Sequence, residues 1–290
     1  MDIRAIAMGV LFSLLWSSAF SSARVIVAHA PPVASLALRF LISGLVGVAI
    51  ARALGQSWRL TRPQWRGTVI FGLCQNALYL GLFFIAMQWI EASLASIIAS
   101  TMPLMVGLIG WAVLGDRLNR MTVLGLGLGV AGVILIMGTR LGTGTDPIGV
   151  ALCLAGTLAL SIATLSARGA SSGGNVLMVV GLQMLAGSAI LFIAALFLDE
   201  RPLAYAPELL WAFTYTVFVP GLLATWVWFT LVNRIGAVRA ATFHFLNPFF
   251  GVLVAAIVLG EAVRPLDILG VGVVAAGILA VQLGRARRTG

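Results

Sequence analysis

The hydrophobic positions of this chain form ten long runs separated by short polar segments. Most runs reach the roughly 17–25 residues that a membrane-spanning helix needs. Because the apolar residues are continuous and do not alternate with polar ones, the pattern excludes a transmembrane β-barrel. We therefore expect an all-α integral membrane protein with ten transmembrane helices. The runs are approximately Ile6–Ala23, Val33–Ala53, Gly67–Met87, Ser93–Leu114, Thr122–Gly138, Ile148–Ala167, Asn175–Leu198, Leu209–Val232, Val238–Leu259 and Ile268–Gly284.

The chain also repeats itself at a separation of 145 residues (248 − 103). Residues 103–134 and 248–279 share a proline at their start, an Leu-Gly-acid triplet and a Gly-rich end. Each repeat contains five helices, which is an odd number, so the second half must enter the membrane from the opposite side. The sequence therefore predicts two inverted five-helix repeats, residues 1–140 and 141–290, an arrangement common in secondary transporters.

Composition agrees with a membrane protein and orients it. Apolar residues make up 61% of the chain and charged residues 9%, with a mean hydropathy of +1.08, whereas a soluble domain has about 25% charged residues. All eighteen basic residues are Arg. Placing both termini in the cytoplasm puts most of these Arg on the inner side, as the positive-inside rule requires. The alternative explanation of such a basic chain is nucleic-acid binding, but the Arg are spread over many short loops and form no patch.

Several chemistries are not expected. The chain has no Lys, so it has neither a Walker A loop nor a Schiff-base lysine. Its two His, His29 and His244, do not form an HExxH metal site. Every Asp and Glu falls in a loop or at the end of a run, so no carboxylate relay is expected at the bilayer centre. The sequence thus predicts a protein without a metal, a cofactor or a catalytic residue.

Several motifs resemble those of one known family. They are Leu15-Trp16-Ser17-Ser18-Ala19-Phe20, Ala37-Leu38-Arg39-Phe40, and the paired segments from Pro103 to Asp116 and from Pro248 to Glu261. Along its whole length the chain resembles ten-helix bacterial exporters of the drug/metabolite transporter superfamily, of the EamA-domain type. The resemblance implies export of small metabolites such as amino acids, purines or cationic drugs across the inner membrane. It also implies a cavity lined by the first four helices of each half.

Polar and aromatic residues in the middle of the runs are the candidates for substrate contact. In the third run Gln75, Asn76 and Tyr79 recur on one helical face, which favours either a cavity lining or hydrogen bonds between helices. Ser100 belongs to a stripe of small hydroxyls in the fourth run, for which helix packing is the alternative. Arg39 could neutralise a substrate carboxylate or hydrogen-bond to carbonyls. The other candidates are Trp16, Ser17, Gln183 at the position equivalent to Arg39, Trp228, His244 and Asn247.

The two matched prolines, Pro103 and Pro248, are the predicted hinges because each removes one helical hydrogen bond. The Gly-rich fifth and tenth runs allow close helix approach, either within the fold or in a homodimer. Together these features predict a secondary transporter that exports small metabolites by alternating access and contacts its substrate and the lipid bilayer. The alternatives are an intramembrane enzyme that uses His244, which lacks a second catalytic residue, and a channel.

Overall fold

The computed structural model is almost entirely helical over the residues that it describes, which are all except 1–2, 114, 116–118, 142–144, 167–173, 199–201, 236–239, 241 and 290. This described part contains ten main helices and no strand, and we number the helices α1 to α10. They are α1 (Ile3–His29), α2 (Pro32–Ala53), α3 (Arg62–Ala86), α4 (Ala92–Ala112), α5 (Arg120–Leu141), α6 (Pro147–Ser166), α7 (Val176–Leu198), α8 (207–235), α9 (242–259) and α10 (Pro265–Thr289).

The lengths and apolar character of these helices confirm the predicted all-α membrane fold. Within the described residues, α1–α4 and α6–α8 each contain an apolar stretch long enough to cross a bilayer, and α5, α9 and α10 contain shorter ones. Helix α1 continues to His29, beyond the predicted end at Ala23. Arg24 therefore lies within the helix, where its guanidinium donates a hydrogen bond to the Met87 carbonyl.

Corresponding helices of the two halves pack against each other. In the pair α5 and α10, Gly125 contacts Gly277 and Gly132 contacts Gly270 so closely that a Cβ on Gly125 would lie 2.7 Å from the Gly277 carbonyl oxygen. The later residue of α5 meets the earlier residue of α10, so the two helices are antiparallel. We call this contact the glycine seam.

The pair α2 and α7 repeats this arrangement. Gly44 of α2 approaches Gly181 of α7, and the Ser188 hydroxyl of α7 donates a 2.8 Å hydrogen bond to the Ala37 carbonyl of α2. This pair is again antiparallel. Equivalent helices that run in opposite directions are what an inverted repeat requires, so the contacts confirm that the two five-helix halves are inverted. The division at residues 140 and 141 stays a prediction.

Several glycines of α5 and α10 lie at contacts between helices inside the fold. In addition to the four of the glycine seam, the Gly129 nitrogen lies 2.6 Å from where a Cβ on Gly277 would stand, and a Cβ on Gly129 itself would overlap Leu104 of α4. Gly127 and Gly272 face outward, with no atom within 4 Å of the place where a Cβ would stand. A homodimer through the Gly-rich helices stays a prediction, for which Gly127 and Gly272 are outward-facing positions among the described residues.

Four helices depart from regular α-geometry. The downstream segments Met102–Ala112 of α4 and Asn247–Leu259 of α9 each carry their proline, Pro103 or Pro248, at the second position. A turn at Thr101 precedes the first, and a 3-10 turn at Thr242–Leu246 precedes the second. The helices are therefore interrupted beside both prolines, as the missing N–H groups dictate. Their action as hinges stays a prediction.

The other two departures are π-helical segments in α3 (Gly72–Tyr79) and α8 (Val217–Leu223). They begin at equivalent positions of the two halves (217 − 72 = 145). Pro220 lies inside the second segment, where the wider π-helical register accommodates a residue without an N–H. The α3 segment contains three of the predicted site residues, Gln75, Asn76 and Tyr79.

Candidate functional site

The first group of predicted residues lies where the π-helical segment of α3 crosses α7. The Asn76 amide nitrogen donates a 2.9 Å hydrogen bond to the backbone carbonyl of Gln183. Asn76 is 1% exposed, and a Cβ on Gly187 would lie 2.5 Å from the Asn76 Cβ. Asn76 thus makes an interhelical hydrogen bond in this structure, and its contact with substrate stays a prediction. The side chains of Gln75 and Gln183 are only half-buried.

Tyr79 and Arg39 form a second group on α3 and α2. Tyr79 is 1% exposed, and its ring packs edge-on against Phe83 with a centroid distance of 4.8 Å. Arg39 is 7% exposed, lies near Tyr79, and has its guanidinium carbon 5.1 Å from the Phe40 ring centroid. The expected hydrogen bonds from Arg39 to carbonyls are absent from the described residues, where the Arg39 Nε is enclosed without a partner.

Ser43, one turn beyond Arg39, completes this group although the sequence did not single it out. Its hydroxyl is likewise enclosed and has no hydrogen-bond partner among the residues described. Both side chains face Gly221 in the π-helical segment of α8, because a Cβ on Gly221 would lie 3.3 Å from Ser43 Oγ and 4.0 Å from an Arg39 terminal nitrogen. We call Arg39, Ser43 and Gly221 the Arg39 crossing.

Aromatic rings from three helices form a third group around Phe12 of α1. The Phe12 centroid lies 5.7 Å from that of Trp16, 4.7 Å from that of Trp228 and 5.4 Å from that of His244. Trp228 and His244 are 5.2 Å apart. The structure thus brings together three predicted residues from distant parts of the sequence. Phe12 was missed because nothing distinguishes it from other apolar residues of its run.

Asn247 connects this aromatic group to α1 and α4. Its side-chain nitrogen donates a 3.0 Å hydrogen bond to His244 Nδ1, and its backbone carbonyl accepts one of 3.1 Å from the Ser17 hydroxyl and one of 3.5 Å from the Ser96 hydroxyl. The Asn247 Oδ1 is enclosed and unpartnered within the described structure. Ser17 thus joins α1 to α9 in this structure, and its contact with substrate stays a prediction. Ser100 donates to the Ser96 carbonyl at 2.7 Å, within its own helix.

The Glu261 carboxylate joins α4 to α9. This contact lies at the end of the molecule that carries His29. Glu261, which follows α9, accepts hydrogen bonds from the backbone nitrogens of Ala92 (2.7 Å) and Ser93 (3.0 Å) at the start of α4. One turn deeper, Gly251 of α9 packs so tightly on Ser96 that a side chain there would overlap it. An acid at a helix N-terminus is favoured by the free N–H groups and the helix dipole. We call this contact the Glu261 latch.

A separate cavity of about 520 Å³ opens near the same end, between the corner joining α1 to α2 and the start of α8. Its walls are largely apolar and include Leu38, Leu203, Tyr205 and Phe213. It contains none of the predicted site residues. Within the described residues, no group of three or more His, Cys, Asp or Glu is placed to hold a metal ion.

A helical membrane fold with inverted halves, interrupted helices and polar groups buried at its centre is the fold of a membrane transporter. The EamA-like transporter family model matches residues 3–138 and again residues 147–283, and the chain belongs to this family. The two matches correspond to the two repeats.

The names of similar proteins agree with this class of membrane transporter. The chain is 29% identical to "Uncharacterized transporter YvbV" of Bacillus subtilis, covering 86% of this chain and 81% of the relative. It is 30% identical to "Aromatic amino acid exporter YddG" of Ancylobacter novellus over 48% of this chain and 47% of that one. It is 23% identical to the "Probable amino-acid metabolite efflux pump" of Salmonella typhimurium, over 97% and 96%. A crystal structure at 24% identity shares the fold over 100% of this chain and 99% of that one, with a TM-score of 0.68.

Proposed function

We propose that this protein is a secondary transporter that exports small metabolites across the bacterial cytoplasmic membrane by alternating access. The observation that carries the proposal is the antiparallel packing of equivalent helices, α2 on α7 and α5 on α10. Inverted halves give a carrier two conformations of similar energy, because each half can adopt the shape of the other. Proline-interrupted α4 and α9 are the segments in which we place the bending.

Amino acids, including aromatic ones, are the proposed substrates, and cationic drugs are a second class. The relatives named as an aromatic amino acid exporter and an amino-acid metabolite efflux pump support this choice. The half-buried rings of Trp16 and Trp228, which pack on Phe12, supply faces on which an aromatic or cationic group can pack. The remaining predicted contacts, Gln75, Tyr79, Gln183, His244 and Asn247, stay proposals of the same kind.

A counterflow experiment tests the proposal. We expect purified protein in liposomes that are loaded with unlabelled L-phenylalanine to accumulate external labelled L-phenylalanine transiently. Unloaded liposomes that contain the protein and loaded liposomes without it are the controls. A channel gives uptake that internal substrate does not accelerate, and an intramembrane enzyme that uses His244 gives a new product instead of exchange. Either result would replace the carrier with that alternative.

Orientation is a separate prediction. With both termini in the cytoplasm, the loop that contains Trp58 lies inside and the loop that contains Tyr205 lies outside. These side chains are 59% and 92% exposed, so cysteines at the two positions should react readily. In a background where Cys74 and Cys153 are replaced by Ser, a membrane-impermeant thiol reagent applied to intact cells should label Tyr205→Cys but not Trp58→Cys. The reverse pattern would invert the topology. Gly142 and Gly173, the positions that the sequence suggested for this test, lie outside the described residues.

A further inference from the structure

Each π-helical segment crosses a helix of the other half, α3 crossing α7 and α8 crossing α2. The two crossings are equivalent in position but contain different polar side chains. Asn76 in α3 corresponds to Gly221 in α8 (221 − 76 = 145), and their contacts on the facing helices, Gly187 in α7 and Ser43 in α2, also correspond (187 − 43 = 144). The molecule therefore contains two versions of one crossing, and each is a reference for the other.

In the α3–α7 crossing the polar groups are paired. Asn76 fills the space above Gly187, and its amide donates to the Gln183 carbonyl at 2.9 Å. Gln183 is the residue equivalent to Arg39 (183 − 39 = 144). This crossing holds no charge, and its buried amide is satisfied by the protein itself.

In the α2–α8 crossing the equivalent groups are unpaired. Gly221 supplies no side chain where Asn76 stands in the other half, and the facing helix carries a cation and a hydroxyl. Arg39 Nε and Ser43 Oγ are enclosed without partners in the described part of the chain. A buried guanidinium in a membrane is costly unless an anion or water satisfies it. The crossing thus contains two enclosed donors for which the described residues supply no acceptor.

The geometry points to the Arg39 crossing as the subsite for the carboxylate of the transported molecule. This inference rests on the proposed function and specifies its substrate class as carboxylate-bearing metabolites. Arg39 supplies the planar, permanently charged fork that suits a carboxylate, and Ser43 supplies one further hydroxyl donor. Gly221 keeps the α8 backbone close to both donors, because a Cβ there would lie 3.1 Å from the Thr216 carbonyl oxygen and 3.3 Å from Ser43 Oγ. A carboxylate therefore reaches the two donors when α8 and α2 move apart.

The test compares three probes that differ only in their polar ends: L-phenylalanine, 3-phenylpropionate, which keeps the carboxylate, and phenethylamine, which lacks it. Binding to the purified protein in nanodiscs is measured by calorimetry. We expect the wild type to bind both carboxylates at least tenfold more tightly than the amine. Arg39→Gln should abolish this preference. Gly221→Ala keeps both donors but places a methyl group 3.3 Å from Ser43 Oγ, so it should weaken carboxylate binding severalfold.

Thermal unfolding separates a binding role from a structural one. Arg39 makes no hydrogen bond among the described residues and contacts the Phe40 ring only weakly, at 5.1 Å. Arg39→Gln and Ser43→Ala should therefore unfold at about the wild-type temperature or above it. Ser188→Ala is the matched control, because its hydroxyl joins the same helix α2 through a bond that is formed. That variant should unfold at a lower temperature and keep the carboxylate preference.

The outcomes distinguish the subsite from the transport proposal. An Arg39→Gln variant that retains the preference, or that unfolds well below the wild type, overturns the subsite. A wild type that exchanges phenethylamine in liposomes but binds neither carboxylate remains a transporter and also overturns the subsite. A wild type that binds both carboxylates through Arg39 but shows no counterflow keeps the subsite and removes the proposed carrier function.

Discussion

Gly277→Ala should lower the unfolding temperature of the protein markedly, although alanine is the better helix former. The added methyl group would lie 2.6 Å from the Gly129 nitrogen and 2.7 Å from the Gly125 carbonyl oxygen. Both are backbone atoms, so neither can move unless α5 separates from α10. Overpacking of this kind costs about 1–3 kcal/mol, which exceeds the gain of roughly 1 kcal/mol in helix propensity.

Gly272→Ala is the control for this prediction. It lies in the same helix and has no atom within 4 Å of the position of a new Cβ. Only the propensity gain acts there, so Gly272→Ala should leave the unfolding temperature unchanged or raise it slightly. Fluorescence-detected thermal unfolding in one detergent measures both variants. Equal unfolding temperatures for the two would mean that the glycine seam is not a tight contact.

Glu261→Gln should open the end of the molecule that carries His29. The carboxylate accepts two backbone hydrogen bonds from α4, and the neutral amide retains one acceptor oxygen and loses the charge that favours a helix N-terminus. Hydrogen bonds to a charged group contribute about 1.5–3 kcal/mol. Losing even half of that shifts an equilibrium between closed and open states by roughly a factor of three to ten.

A cysteine at Ser93 reports this opening, because Ser93 is 2% exposed while the Glu261 latch is formed. Its reaction with a thiol reagent in nanodiscs should be several times faster in the Glu261→Gln protein than in the protein with the latch intact. Glu208→Gln is the control, since Glu208 is an exposed acid in the first turn of α8. If Glu208→Gln accelerates labelling as much as Glu261→Gln, the effect is one of general charge and the latch does not gate this end.

Helix positions could be predicted closely from sequence because hydrophobic length alone determines them. Helix α2, for example, ends at Ala53 as the apolar run does. The π-helical segments could not be predicted, since Gly72–Tyr79 has the composition of an ordinary helix. Their equivalence across the repeat becomes visible only once the coordinates place both segments 145 residues apart (217 − 72).

The site was predicted in its residue types but not in its pairings. Trp16, Trp228 and His244 were identified as polar or aromatic residues within apolar runs, and the structure places all three around Phe12. Asn76 and its partner Gln183 are 107 residues apart, so their hydrogen bond has no local signal. Ser43 was missed because a small hydroxyl in a membrane helix usually bonds to its own backbone, and only its lack of a partner distinguishes it.

The glycine seam has the symmetry of an isologous dimer interface. The contact of Gly125 with Gly277 becomes that of Gly270 with Gly132 when each residue is replaced by its equivalent in the other half. Two identical separate halves could form this seam, but they would then carry identical residues at the two π-helical crossings. Fusion into one chain removes that restriction. It allows one crossing to hold Asn76 opposite Gly187 and the other to hold Gly221 opposite Ser43, so a symmetric scaffold can carry a binding site with a single polarity.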